Sequence, residues 1–138
     1  MSVWIVYALL AAVFAALVAI FGKVGISGID TTTATAIRAV VMAALLVALT
    51  LALGKAGGVR QVSLNSMTFI VLSGAAGALS WLFYFLALRH GPVVGVAALD
   101  RLSVVLVFVL ATAFLGDPFT WKGAVGATLV VDGSVLLT

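Results

Sequence analysis

Four ionisable side chains, Arg38, Asp100, Arg101 and Asp132, stand inside otherwise apolar stretches of the chain, and any chemistry is sought there first. An ionisable group at the centre of a bilayer costs roughly 2.5 to 3.5 kcal/mol, so each of the four needs a partner, water or a purpose. Two acids and two bases cancel in formal charge, as expected of groups that neutralise one another away from bulk water. The functional alternative to such packing is that Asp100 or Asp132 exchanges a proton or holds a cationic solute. Asp132 is the sharper candidate because its segment, GAVGATLVVDGSVLLT, is otherwise apolar. A second pattern is the series Ser73, Gly77, Ser80 and Tyr84, whose spacings of four, three and four put them on one helix face. A small, hydroxylated face suits close helix packing or the lining of a solute path. Trp81 and Phe85 supply an aromatic wall for a cation or flat solute, or simply pack. Ser80, Trp81, Tyr84, Asp100 and Ser103 are the candidate substrate-binding residues, and Arg38, Asp100, Arg101 and Asp132 the candidate charge network. His90, beside Arg89, reads as an interfacial residue or a pH sensor.

Other chemistry is excluded. The chain has no Cys, which removes disulfides, thiol catalysis and thiolate metal sites, and its single His cannot build a metal cluster. The glycines of GKAGG and SGAAG lack the Lys-Ser/Thr arrangement and strand context of phosphate loops. No hydrolase, kinase or metalloprotease constellation is present, so no enzyme, catalytic residue, metal or cofactor is expected. The formal charge of +3 comes from seven Lys or Arg against four acids scattered singly, which argues against a nucleic-acid face.

The elements that must position these residues follow from composition. With 138 residues, 65% hydrophobic and 8% charged, and a mean hydropathy of +1.40, the chain has too few ionisable groups to stay soluble as a globule. Its apolar runs are long and continuous, without the alternation of barrel strands, and a spanning helix needs roughly 20 such residues. Five spans are expected, at residues 3–22, 33–53, 67–88, 93–115 and 119–138, in a single domain covering residues 1–138. The first has no basic residue before it and is followed by more spans, so it reads as a membrane helix rather than a cleaved signal. Asp30 and three Thr supply cap material before the second span, Arg89-His90-Gly91-Pro92 breaks the third from the fourth, and Gly116-Asp117-Pro118 makes the last turn.

At 1.5 Å per residue, Arg38 sits about 8 Å inside the second span, Asp100 about 10 Å inside the fourth and Asp132 about 9 Å before the end of the fifth, all measured from one membrane face. These groups therefore share a depth. Adjacent Asp100 and Arg101 point about 100° apart on a helix and are expected to serve different neighbours. Arg38 pairs with one acid and Arg101 with the other, an assignment the sequence leaves open. Loop cations are nearly balanced: Lys55, Arg60 and Lys122 on one side, Lys23 and Arg89 on the other with Arg38 and Arg101 just inside. A near-tie removes the usual instruction for orientation, so copies are expected to insert both ways round; one orientation set by Lys55 and Arg60 is the alternative.

The segment LSGAAGALSWLFYFLALRHGPVVGVAALDRLSVVLVFVLATAFLGDPFTWKGAVGATLVVDG, with IRAVVMAALL before it, resembles the short EamA-domain members of the drug/metabolite transporter superfamily. Those members carry similar SWLFYF, Asp-Lys-Leu-Ser and LGE stretches. Here the Asp-Lys pair is Asp100-Arg101, the loop acid is Asp117, and Asp132 falls where a small or apolar residue is expected. The resemblance implies a secondary transporter, one half of a ten-helix inverted-repeat fold. It also implies an antiparallel homodimer in a bacterial or archaeal inner membrane, moving a small metabolite or drug-like solute, outward, by alternating access through a central cavity bordered by spans one, three and four. Small multidrug exporters use an acid in their first helix, which span one lacks, so proton coupling would fall to Asp100 or Asp132. The alternative is a nontransporting membrane subunit paired with another protein, for example in lipid-linked sugar translocation.

Overall fold

The computed structural model describes residues 2–138, and among them every regular element is helical. Helices α1 (Val3–Gly25), α2 (Thr31–Ala52), α3 (Leu64–His90), α4 (Val93–Asp100), α5 (Ser103–Leu110) and α6 (Trp121–Leu136) are joined by short connections, with a 3-10 helix at Ala56–Gln61 and a π-helical turn at Ala111–Leu115. Four stretches are long and apolar enough to cross a membrane: Val3–Gly25, Thr31–Ala52, Leu64–His90 and Val93–Leu115. Their Leu, Val, Ile and Phe side chains are mostly exposed, as helices solvated by lipid require. The fifth apolar helix, α6, has 16 residues, about 24 Å of rise against a hydrocarbon core of about 30 Å. It is shorter than the expected span at residues 119–138.

Capping follows the sequence. The Asp30 carboxylate accepts the Thr33 backbone N–H at 2.9 Å and opens α2. Ser63 Oγ accepts the Ser66 N–H at 3.1 Å ahead of α3, and Thr120 Oγ1 accepts the Gly123 N–H at 3.1 Å ahead of α6. Within the apolar stretches, Thr35, Thr50, Thr68, Thr112 and Thr128 each donate their hydroxyl to the carbonyl four residues earlier. That satisfies the donor where no water is at hand.

The chain forms two compact units, residues 1–23 with 90–138, and residues 24–89. In the first, α6 packs along α4 and α5. Ser134, 4% exposed, donates to the Ala98 carbonyl at 2.8 Å. At the other end of α6, a Cβ placed on Gly123 would lie 2.6 Å from Phe108 Cε2, so only glycine permits this approach. Phe108, Phe119 and Trp121 form a run of ring contacts at 5.7 and 5.8 Å between centroids. Lys23 Nζ donates to the Gly91 carbonyl at 3.0 Å, tying the end of α1 to the start of this half of the unit.

The span expected at residues 93–115 is present at that length, with a local tightening inside it. At Arg101 and Leu102 the backbone tightens into three-residue turns: the Arg101 N–H bonds to Ala98 O at 3.1 Å and the Leu102 N–H to Leu99 O at 3.0 Å. The stretch ends in the π-helical turn and at Gly116, whose φ of 72° is left-handed and favours a residue without Cβ.

In the second unit, Leu88 and Thr31 are fully buried and Phe85 nearly so. Arg89 donates from Nη1 to the Ile29 carbonyl and to Thr31 Oγ1, both at 3.3 Å. The sequence placed Arg89 in an interfacial break; it fastens the turn before α2 to the end of α3.

Candidate functional site

Within the second unit a cleft of about 510 Å³ opens between α2 and α3. Its α2 wall is Thr32, Thr35, Ala36, Arg38, Ala39 and Met42, and its α3 wall is Gly74, Gly77, Ala78, Leu79, Trp81 and Leu82. Both walls follow from helical spacing: residues three, four and seven apart share a face, so α2 contributes a small, partly hydroxylated stripe and α3 a stripe of Gly and Ala. The small residues of both stripes leave room between the helices, Met42, Leu79 and Leu82 complete an apolar lining, and a volume of this order lies within the range of small-molecule sites.

Arg38 stands seven residues after the start of α2, about 10 Å along its axis. Its guanidinium carbon lies 3.6 Å from the Trp81 ring centroid and 5.3 Å from that of Phe85. Trp81 contacts Tyr84 edge-on at 5.4 Å and Phe85 at 5.9 Å, and Tyr84 meets Phe85 at 6.3 Å. Tyr84 and Phe85 follow Trp81 by three and four residues, one turn further along α3, and Phe85 is buried, which holds the ring cluster beside the guanidinium in place. Trp81 and Phe85 stand side by side, and the cation that rests on them is the protein's own Arg38. A guanidinium is planar and weakly hydrated, which suits it to this stacking better than an ammonium.

Arg38 was expected to pair with an acid. In its unit the single acidic residue is Asp30, and that carboxylate is engaged at the helix cap. The Thr33 backbone N–H is the main cause holding the Asp30 carboxyl below the usual carboxylate value; the Thr33 hydroxyl, the Thr32 backbone and the Arg89 charge add to it, and partial desolvation opposes it.

In the first unit Asp100 and Arg101 lie at the break after α4, with Arg101 Nη2 3.7 Å from Asp100 Oδ2. The expectation that they serve different helices assumed a regular helix; the tightened turn brings the two adjacent side chains together instead. Asp132, on α6, is exposed, and among the described residues of this unit it makes no ion pair. Ser103 opens α5 and is also exposed.

Of the expected stripe, Gly77 lines the cleft, whereas Ser73 and Ser80 lie outside its lining and are exposed; Tyr84 belongs to the ring platform. Thr32, Thr35, Ala36, Ala39, Met42, Gly74, Ala78, Leu79 and Leu82 line the cleft and were not expected from the sequence. The signal that could have found the α3 wall is the small-residue series Gly74, Gly77 and Ala78 running into Trp81, one residue away from the stripe chosen.

Comparison with known proteins assigns the whole described chain. Residues 2–138 match the EamA-like transporter family. A Sinorhizobium sp. protein described as an uncharacterized transporter in the cobO 3' region is 39% identical over 134 residues, covering 97% of this chain and 95% of the relative. A Pseudomonas savastanoi pv. phaseolicola protein described as a probable 4-amino-4-deoxy-L-arabinose-phosphoundecaprenol flippase subunit ArnF is 39% identical over 77 residues, 54% of this chain and 56% of that protein. A Pseudomonas syringae pv. syringae protein of the same description is 37% identical over 75 residues, 53% of this chain and 52% of that protein. No solved structure matches the chain. The apolar helices, the cleft set among them and the match over residues 2–138 agree on one conclusion: the chain belongs to the EamA-like transporter family.

Proposed function

We propose that the chain is a secondary transporter that exports a small metabolite or drug-like solute from a bacterial or archaeal cell across the inner membrane. The observation that carries this reading is a solute-sized cleft between two apolar helices long enough to span, in a member of a transporter family. Two copies in opposite orientations act together, each counting α6 as a fifth, short membrane helix and so supplying one half of a ten-helix inverted repeat. Alternating access arises as the halves exchange conformations. The near-balance of loop Lys and Arg supports insertion both ways round. Where transport is coupled to protons, Asp100 or Asp132 carries them; Asp132 is the outward-facing acid of α6, and Asp100 sits at a helix break of the kind that transporters use for coupling sites.

The test uses purified protein in proteoliposomes with a pH-reporting dye, together with tags at each terminus probed in intact cells. Substrate-driven proton flux lost in D100N or D132N, and both termini found on both sides, support the proposal. One fixed orientation for all copies refutes the antiparallel dimer, and unaltered flux in both variants refutes acid-mediated coupling.

A second reading is favoured by the half-length similarity to the two ArnF proteins, each described as a flippase subunit. The chain is then a membrane subunit that works only with a different partner, in moving a lipid-linked sugar. Co-purification separates the two: a homodimer that moves solute alone supports the transporter, and a fixed hetero-partner supports the subunit.

A further inference from the structure

We infer that the cleft between α2 and α3 binds an organic anion, a carboxylate or phosphate carried on a flat apolar body, with Arg38 as its counter-ion. The inference rests on the transport reading and names its solute class. A cation is poorly served here because the face of Trp81 that would receive it is occupied by the Arg38 guanidinium at 3.6 Å, and a second positive charge beside the first is repelled. Stacking uses the guanidinium face and leaves its N–H edge available, a planar fork matched to the two oxygens of a carboxylate or phosphate. No hydrogen bond from that edge occurs among the described residues of the unit, and the unit's single acid, Asp30, is committed to the Thr33 N–H. A charge about 10 Å along an apolar helix without an acid beside it is completed by an anion from outside. The remaining walls, with Ala36, Ala39, Met42, Gly74, Gly77 and Ala78, accept an apolar body, and the volume of about 510 Å³ admits a solute of one or two rings.

The experiment measures binding of four matched probes, phenyl phosphate, phenylacetate, phenylacetamide and phenethylamine, to the full chain in phosphatidylcholine nanodiscs. The readouts are calorimetry and quenching of Trp81 by 4-nitrobenzoate in a W4F/W121F background. Both anions are expected to bind at least about tenfold more tightly than the amide and the amine, an advantage lost in R38Q and partly kept in R38K. Amine binding equal to or tighter than anion binding, or undiminished anion binding in R38Q, overturns the inference. Should R38Q fail to fold, the quenching arm still decides: 4-nitrobenzoate quenching Trp81 and relieved by phenyl phosphate supports the site, and quenching that phenyl phosphate leaves unchanged overturns it. Repeating the titration with phosphatidylglycerol in the nanodisc identifies the source of the anion: competition assigns a lipid headgroup, and its absence a free solute, both with Arg38 as counter-ion. Uptake of phenyl phosphate into proteoliposomes is followed in parallel. Binding without uptake removes the transport reading and leaves the site standing, whereas uptake of another solute without anion binding removes this inference alone.

Discussion

Replacing Trp81 by Leu removes the ring on which the Arg38 guanidinium rests and leaves a charge in an apolar helix. The carbon-to-centroid distance of 3.6 Å is well inside the roughly 6 Å range of the interaction, and Phe85 at 5.3 Å is a weaker second face. Exposed pairs of this kind contribute about 0.5 to 1 kcal/mol and desolvated ones about 2, so the half-buried Arg38 places the pair at about 1 to 2 kcal/mol. The measurement is a double-mutant cycle with R38Q, W81L and the combined variant, using reversible unfolding in mixed micelles with rising dodecyl sulfate, followed by helical circular dichroism. Each single variant is expected to lose stability, and the double variant to lose less than their sum by about 1 to 2 kcal/mol. R38K should recover only part of the coupling, because an ammonium keeps the charge and lacks the planar stack. A coupling energy below about 0.4 kcal/mol, the scatter of independent sites, refutes the stack as a source of stability.

Other consequences are as direct. Gly123→Ala drives a methyl to 2.6 Å from the Phe108 ring and should cost about 1 to 3 kcal/mol, partly restored by Phe108→Leu, as thermal unfolding in detergent would show; an unchanged midpoint contradicts the contact. Ser134→Ala removes a buried 2.8 Å hydrogen bond to the Ala98 carbonyl and should cost about 1 kcal/mol by the same assay. For Asp30 the folded carboxyl titrates below its ordinary value, so its contribution is present above that ordinary value and is lost as pH falls through the lowered one. The midpoint of the wild type should therefore drop relative to D30N across that acid range, and parallel curves contradict the cap.

The first four spans were legible because a long apolar run between Gly, Pro and charge has few other solutions; Asp30 as a cap before α2 was equally plain. The interruption at Arg101 and Leu102 was not, since VGVAALDRLSVVLV carries neither Gly nor Pro at the break and each of its residues tolerates a helix. The 3-10 helix at Ala56–Gln61 lay in a Gly-rich loop without periodicity. The partner of Arg38 depends on the register of α2 against α3. Hydropathy does not encode that register, and the formal charge balance pointed toward an acid rather than toward Trp81. The same register decides which α3 stripe lines the cleft, and it brings Ala78 rather than Ser80 to the lining. Trp81 and Arg38 were both singled out from residue type alone, and their juxtaposition came only with the fold.

Thiol labelling tests most directly whether a solute-accessible, anion-selective cleft lies between α2 and α3. The chain has no Cys of its own, so Ala78→Cys in the cleft and Val40→Cys, 69% exposed on α2 and outside the cleft lining, can each be labelled alone in proteoliposomes. The reagents are a negatively and a positively charged methanethiosulfonate, with rates normalised to a free thiol. An open cleft governed by Arg38 gives fast labelling at position 78, slow labelling at position 40, and a preference at 78 for the negative reagent that disappears in R38Q. Equal rates at the two positions, or a preference at 78 for the positive reagent, would contradict it.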